Sequence, residues 1–136
     1  LSIPMGGHVL LSVADRNKEE CAGIAAKLLS LGFKLHASEG TCRYLANSGI
    51  EAELVADGDI LDCIKDNRVT LVINTPTKGK IPARLGFHIR RTAMEYNTSC
   101  ITSLDTTRAV LQVLEHMIRQ KETDNYALDE YSVQSI

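Results

Sequence analysis

The sequence predicts an α/β fold in which helices cover both faces of a five-stranded parallel sheet, giving three layers. Short apolar runs rich in Val, Ile and Leu alternate with segments whose apolar residues recur at helical spacing. This β-α alternation repeats five times, which favours parallel strands joined by right-handed crossovers. The length of 136 residues fits one such domain.

The strands are expected where the apolar runs are short and bounded by polar or turn-forming residues. Four of the five runs are clear, whereas the third run along the chain gives only a weak signal. The four runs and the weaker candidate are residues 9–14, 33–37, 71–74, 100–101 and, weakly, 53–55.

The first helix has both a start and a stop signal. Asn17 followed three residues later by Glu20 resembles a capping box, and Gly32 stands where the apolar face ends. Shorter helices are expected at residues 41–47, 60–66 and 87–96.

A last helix is expected to begin at Asp105 as its cap, with an apolar face over residues 110–118. The apolar periodicity stops after about Arg119. We therefore divide the chain into a domain of residues 1–120 and a polar C-terminal tail of residues 121–136, either loosely docked or a free end.

Composition excludes several classes of function. The net charge is −2, the sequence pI is about 6.1 and there is no Trp, so a basic, aromatic-rich surface for nucleic acid is not expected. No apolar run approaches the roughly 18 residues that span a bilayer, and the N-terminus lacks the regions of a signal peptide. Leu1 in place of an initiator Met fits an excised fragment.

The cysteines and histidines do not have the spacing of a metal or redox site. No cysteine pair has C-x-x-C spacing and no histidine pair has H-E-x-x-H spacing, so no metal ligands are predicted. We expect buried thiols in a reducing cytoplasm. The residues concerned are Cys21, Cys42, Cys63, Cys100, His8, His36, His88 and His116.

The first candidate site is the turn after the second strand. Ser38, Gly40 and Thr41 open a helix there, where backbone N–H groups and the helix dipole favour an anion and two hydroxyls add donors. A plain Ser/Thr helix cap explains the same residues equally well. Lys18, just after the first strand, would point to the same edge of the sheet, or be an ordinary exposed lysine.

The second candidate site is the turn after the fourth strand in the chain. It presents Asn74, Thr75 and Pro76, followed by Lys78 and Lys80 around a glycine. An amide donates and accepts, and a lysine meets a phosphate or carboxylate as a point charge. A solvated loop is the alternative. Because parallel strands end at one edge, the two turns are expected to converge on one anion site.

A family resemblance rests on five runs in this order: "LLSVADRNKEE", "LLSLGFKLHASEGT", "LVINTPTKGK", "HIRRTAMEYN" and "CITSLDTTRAVLQVL". They resemble the methylglyoxal-synthase-like domain, and more closely the C-terminal allosteric domain of the carbamoyl-phosphate synthase large subunit. The resemblance covers residues 7–117 and implies the fold already predicted from the residues.

The resemblance implies regulation rather than catalysis in this domain. It implies an anionic effector such as UMP or IMP, with its phosphate at Lys18, Ser38, Gly40 and Thr41 and its neighbouring side at Asn74, Thr75, Pro76 and Lys78 or Lys80. Thr102 would lie near the seam between this domain and a synthetase domain, where ornithine would bind. No cofactor is implied here, whereas the parent enzyme would use ATP with Mg or Mn, and a glutaminase subunit.

Two alternatives stay open. Methylglyoxal synthase itself acts on dihydroxyacetone phosphate. Asp57 falls close to the position of its catalytic aspartate and Asp15 matches a shared strand-end aspartate, but the "GGDQQ" context is absent, and the histidines that would polarise a carbonyl are missing from the matching segments. The other alternative is a ligand-free interaction or homo-oligomerisation module. The acidic loop with Asp57 and Asp59 also replaces a longer loop with a lysine in UMP-responsive relatives, and close like charges disfavour phosphate by about 1 kcal/mol each.

Overall fold

The computed structural model describes residues 6–77 and 79–134, with the backbone alone at 80–82 and 125–134. In that part of the chain strands and helices alternate as predicted. They are β1 (His8–Ser12), α1 (Lys18–Ser30), β2 (Lys34–Ala37), α2 (Glu39–Asn47), β3 (Glu53–Leu54), α3 (Ile60–Lys65), β4 (Leu71–Asn74), α4 (Lys80–Glu95), β5 (Ser99–Ile101) and α5 (Leu104–Gln134). Short 3-10 turns at Asp15–Asn17 and Asp57–Asp59 precede α1 and α3.

The five strands form one parallel sheet in the order β3-β2-β1-β4-β5. The chain first adds strands on one side of β1 and then returns to add β4 and β5 on the other. The strand order therefore reverses between β1 and β4, where an open α/β sheet forms its binding crevice. The predicted fold class is confirmed, including the weakly signalled third strand.

Helices cover both faces of the sheet. In β1, Val9 and Leu11 are buried on the face with α1, α2 and α5, whereas Leu10 is buried on the face with α3 and α4. Successive side chains of a strand point to opposite faces, so a strand buried on both sides needs an unbroken apolar run. That requirement explains why the central strands were visible in the sequence.

The predicted capping box at the start of α1 is wrong. Asn17 has helical backbone angles and closes the preceding 3-10 turn, and its side chain makes no capping hydrogen bond. Glu20 instead pairs with Arg108 on α5. The end of α1 is as expected, because Gly32 has a φ of 91° and stops the helix in the left-handed region.

The helix α4 begins at Lys80, seven residues before the predicted start at residue 87. The glycine and proline near its start concealed this beginning in the sequence. Proline is tolerated in a first helical turn because the N–H that it lacks has no acceptor within the helix there.

The helix α5 also departs from expectation at both ends. The Ser103 hydroxyl accepts the Thr106 N–H at 3.4 Å, so Ser103 rather than Asp105 caps it. The helix continues through most of the predicted tail, to Gln134, although its apolar face ends earlier. None of the described helices combines the length and hydropathy needed to cross a bilayer.

Candidate functional site

A cleft of about 740 Å³ opens at the carboxyl ends of β1, β2 and β4. It lies beside the reversal of strand order, as expected for this sheet. The side chains and backbone that line it are Ser12, Val13, Ala14, Asp15, Arg16, Lys18, Ser38, Glu39, Gly40, Thr41, Arg43, Asp57, Asn74, Thr77, Leu85, Gly86 and Ile89. The two turns singled out in the sequence do converge, through Ser38, Gly40 and Thr41 on one side and Asn74 on the other.

Two threonine hydroxyls fix the backbone that follows β1. The Val13 N–H donates to Thr41 Oγ1 at 3.2 Å, and the Ala14 N–H donates to Thr75 Oγ1 at 2.8 Å. Both threonines are buried, with 2% of their surface exposed. The floor of the cleft is therefore held from the β2 side and from the β4 side at once, which positions the segment that carries Lys18.

The N-terminus of α2 faces this cleft with N–H groups that have no partner in the part of the chain that the structure describes. The first bond of the helix runs from the Cys42 N–H to the Ser38 carbonyl at 2.7 Å, so the N–H groups of residues 39–41 precede it. Ser38 makes no side-chain cap, and its hydroxyl instead donates to Thr41 Oγ1 at 3.3 Å. The simple helix-cap interpretation of Ser38 is thus wrong, and the helix end is left to attract an anion.

Lys18 lies over the same helix end. A Cβ placed on Gly40 would lie 3.4 Å from Lys18 Nζ, so the glycine allows the ammonium to approach the helix backbone closely. The Lys18 side chain is only 14% exposed. A positive ammonium and a positive helix end therefore share one spot, and the alternative of an ordinary exposed lysine is wrong.

Carboxylates offset part of this positive charge. Asp15 bonds to the Lys18 ammonium, and that hydrogen bond holds the pKa of Asp15 below its ordinary value. Glu39 pairs with Arg43 across one helical turn at 3.1 Å. The cleft is consequently a mixed-charge site with a positive centre rather than a uniformly basic patch.

Arg90, which was not among the predicted site residues, supports Asn74. Arg90 Nη1 donates to Asn74 Oδ1 at 2.8 Å, and Asn74 Nδ2 donates to the Ser12 carbonyl at 2.9 Å. Gly86, one turn before Arg90, makes room, because a Cβ there would lie 3.0 Å from the guanidinium. The available signal was the glycine four residues before an arginine on one helix face.

A second, smaller pocket of about 220 Å³ lies on the β5 side. Thr75 and Pro76 line this pocket rather than the cleft, and Thr102 lines it too. Arg16 borders both spaces and donates from Nη2 to the Pro76 carbonyl at 2.8 Å. The predicted site residues are thus divided between two neighbouring spaces.

Two predicted residues cannot be placed. Lys78 lies outside the described residues, as does the side chain of Lys80, whose backbone begins α4. Among the residues that the structure describes there is no cluster of three or more His, Cys, Asp or Glu suited to a metal ion. No histidine is among the described residues that line the cleft.

His36 is a buried residue of β2. It is 8% exposed and bonds through Nε2 to His8 Nδ1 at 2.8 Å. Burial lowers its pKa, while Glu53, at 3.6 Å from Nδ1, acts in the opposite direction. All four cysteines are free thiols, with Cys21 and Cys63 buried and the other two half-buried.

Comparisons with known proteins identify the family of this domain and a solved structure with the same fold. A family model described as an MGS-like domain matches residues 20–102, more than half of the chain. Among solved structures, the crystal structure of ForH matches with a TM-score of 0.58 and 24% sequence identity, over 81% of this chain and 80% of that chain. At that identity the match shows a shared fold. The matched segment runs from α1 through β5 and includes both turns at the cleft. Because it covers more than half of the chain, the chain belongs to the MGS-like domain family.

Proposed function

We propose that this domain binds a phosphate-bearing effector in the cleft and thereby regulates a carbamoyl-phosphate synthase whose large subunit it completes. One observation carries the proposal: the α2 N-terminus, the Lys18 ammonium and the buried Thr41 hydroxyl meet in one cleft. Each contributes a donor or positive charge, and their convergence is what a phosphate group requires.

Thr41 is suited to complete this set. Its oxygen accepts bonds from the Val13 N–H and from the Ser38 hydroxyl, so within the described surroundings its own hydrogen remains to donate into the cleft. The α2 amides and Lys18 add further donors without needing to rearrange. Such a preformed arrangement reduces the ordering cost of binding.

The regulatory assignment draws on the family resemblance of the five sequence runs. It makes UMP or IMP the leading effectors and places ornithine near Thr102, in the second pocket. The parent enzyme would supply ATP-dependent synthesis with Mg or Mn in its synthetase domains, and ammonia through a glutaminase subunit. In this proposal the domain and these partners lie together in the cytoplasm.

Thermal melting of the domain tests the proposal directly. A ligand at a hundred times its Kd should add about 2.7 kcal/mol to the free energy of unfolding, so the melting temperature should rise measurably. UMP, IMP and inorganic phosphate form the panel, together with N-acetylglutamate as an anion that has no phosphate group. A shift with phosphate or a nucleotide supports the proposal, whereas no shift with any compound favours a ligand-free interaction module.

The lyase alternative has less support in the geometry. Asp15 and Asp57 line the cleft, but Asp15 is committed to Lys18, and no histidine lines the described cleft wall to polarise a carbonyl. Incubation with dihydroxyacetone phosphate and detection of methylglyoxal distinguishes the two functions. Robust turnover would replace the regulatory proposal with a lyase.

A further inference from the structure

Among the described residues, the charged side chains that line the cleft are paired except for Asp57 and Arg16. Lys18 bonds to Asp15, and Arg43 bonds to Glu39. Asp57 has neither an ion pair nor a hydrogen bond from its side chain within the described part of the chain, although it lines the cleft and is exposed to it. An unpaired carboxylate in a cleft is a ready acceptor for a ligand.

Arg16 is the lining cation that lacks a carboxylate among the described residues. One of its N–H groups donates to the Pro76 carbonyl, which fixes the guanidinium at the β1–β4 side of the cleft. A guanidinium has five N–H donors in total. Arg16 therefore adds positive potential beside Lys18, on the side of the cleft that is farther from β3.

The two ends are separated by the sheet itself. Asp57 follows β3, whereas Arg16 and Lys18 follow β1, and β2 lies between those strands. Neighbouring strands are about 4.8 Å apart, so the strand end that carries Asp57 lies about one spacing from the α2 N-terminus, which follows β2, and about two spacings from Arg16 and Lys18. This separation fits the two ends of a single small molecule in a cleft of about 740 Å³.

We infer that Asp57 is a specificity-determining residue, which selects phosphate monoesters carrying a hydroxyl or amine donor about 5–10 Å from the phosphate. The inference rests on the proposed function, because it assumes that the phosphate binds beside Lys18 and the α2 N-terminus. The carboxylate also disfavours any ligand with a second anionic group at that distance, since like charges would face each other there.

A matched series of ligands tests this assignment. Pentyl phosphate, 5-hydroxypentyl phosphate and 5-aminopentyl phosphate share one chain and differ only in the distal group. Their affinities and that of inorganic phosphate are measured by calorimetry on the wild type, Asp57→Ala and Asp59→Ala. Asp59 is the control because it lies in the same acidic turn, is exposed and does not line the cleft.

The wild type should bind at least one of the two donor-bearing esters about fivefold more tightly than pentyl phosphate, as expected for an exposed charged acceptor. Asp57→Ala should abolish that preference and bind inorganic phosphate about twofold more tightly, because a like charge about 5–10 Å away is removed. Effects of opposite sign on the two ligand types are the signature of a specificity residue. Asp59→Ala should change neither.

The failures of the two proposals are distinguishable. If the wild type binds phosphate but Asp57→Ala keeps the preference, or weakens every ester equally, the role of Asp57 is overturned and the phosphate site stands. If the wild type binds none of the phosphate compounds, both the proposed function and the role of Asp57 are overturned. Melting temperatures of both variants show that any loss does not come from unfolding.

Discussion

Replacing Lys18 with methionine should weaken the binding of phosphate-bearing ligands about tenfold. Methionine keeps an unbranched apolar stem in a position where the lysine side chain is only 14% exposed. It removes the ammonium that lies above Gly40 at the α2 N-terminus. The change therefore takes away a charge while largely retaining the packing of the stem.

The magnitude follows from Coulomb's law. Two unit charges about 4 Å apart interact by about 1 kcal/mol in water and by about 4 kcal/mol at an effective dielectric constant near 20. The cleft is open to solvent, and Asp15 competes for the ammonium. We therefore take the lower part of that range, about 1.4 kcal/mol, which is a factor of ten in Kd.

Calorimetric titration with UMP and with inorganic phosphate measures this effect in a phosphate-free, low-salt buffer. Lys65→Met is the matched control, since Lys65 is an exposed lysine on α3 outside the cleft. Asp15→Asn should act in the opposite direction, because it releases Lys18 from its carboxylate. Unchanged affinity in Lys18→Met, with measurable wild-type binding, would refute the placement of the phosphate at Lys18.

Three further outcomes are expected. Thr41→Val leaves the buried Val13 N–H without its acceptor and should lower the free energy of unfolding in urea by about 1–3 kcal/mol, whereas Thr41→Ser should recover most of it. Because burial lowers the pKa of His36 in the folded state, the unfolded chain binds more protons, so stability should fall as the pH drops below about 6.5; His36→Gln should flatten that part of the pH profile, and an unchanged slope would contradict it. Burial also raises the pKa of Cys21 to about 11, so mass spectrometry should find Cys21 unmodified by iodoacetamide until urea unfolds the protein.

The sequence allowed the fold to be predicted because each level of organisation agreed with the next. Buried parallel strands require continuous apolar runs, and residues 71–73 are such a run, which ends at Asn74. Parallel topology then brings the ends of β1, β2 and β4 to one edge without further information. The convergence of Gly40, Thr41 and Asn74 is therefore a consequence of topology, which a periodicity argument can reach.

The features that were missed depend on tertiary contacts. Asn17 has the residue type of a helix cap, but the 3-10 turn before α1 places it in a helical conformation, where it cannot act as one. Arg90 has the sequence context of a surface arginine, and its role follows only from the packing of α4 against β4. Arg16 reaches the Pro76 carbonyl across 60 positions of sequence, which no local pattern encodes.

The segment after β1 connects the two pockets physically. Its N–H groups at Val13 and Ala14 are held by Thr41 from the cleft and by Thr75 from the second pocket. A ligand that draws on Thr41 or Arg16 therefore acts on the backbone whose other side is tied to Thr75. If such a ligand changes the affinity of the second pocket, linkage requires the second ligand to change effector affinity by the same factor. That equality can be measured in the proposed parent enzyme, and it separates true coupling from two ligands that merely bind near each other.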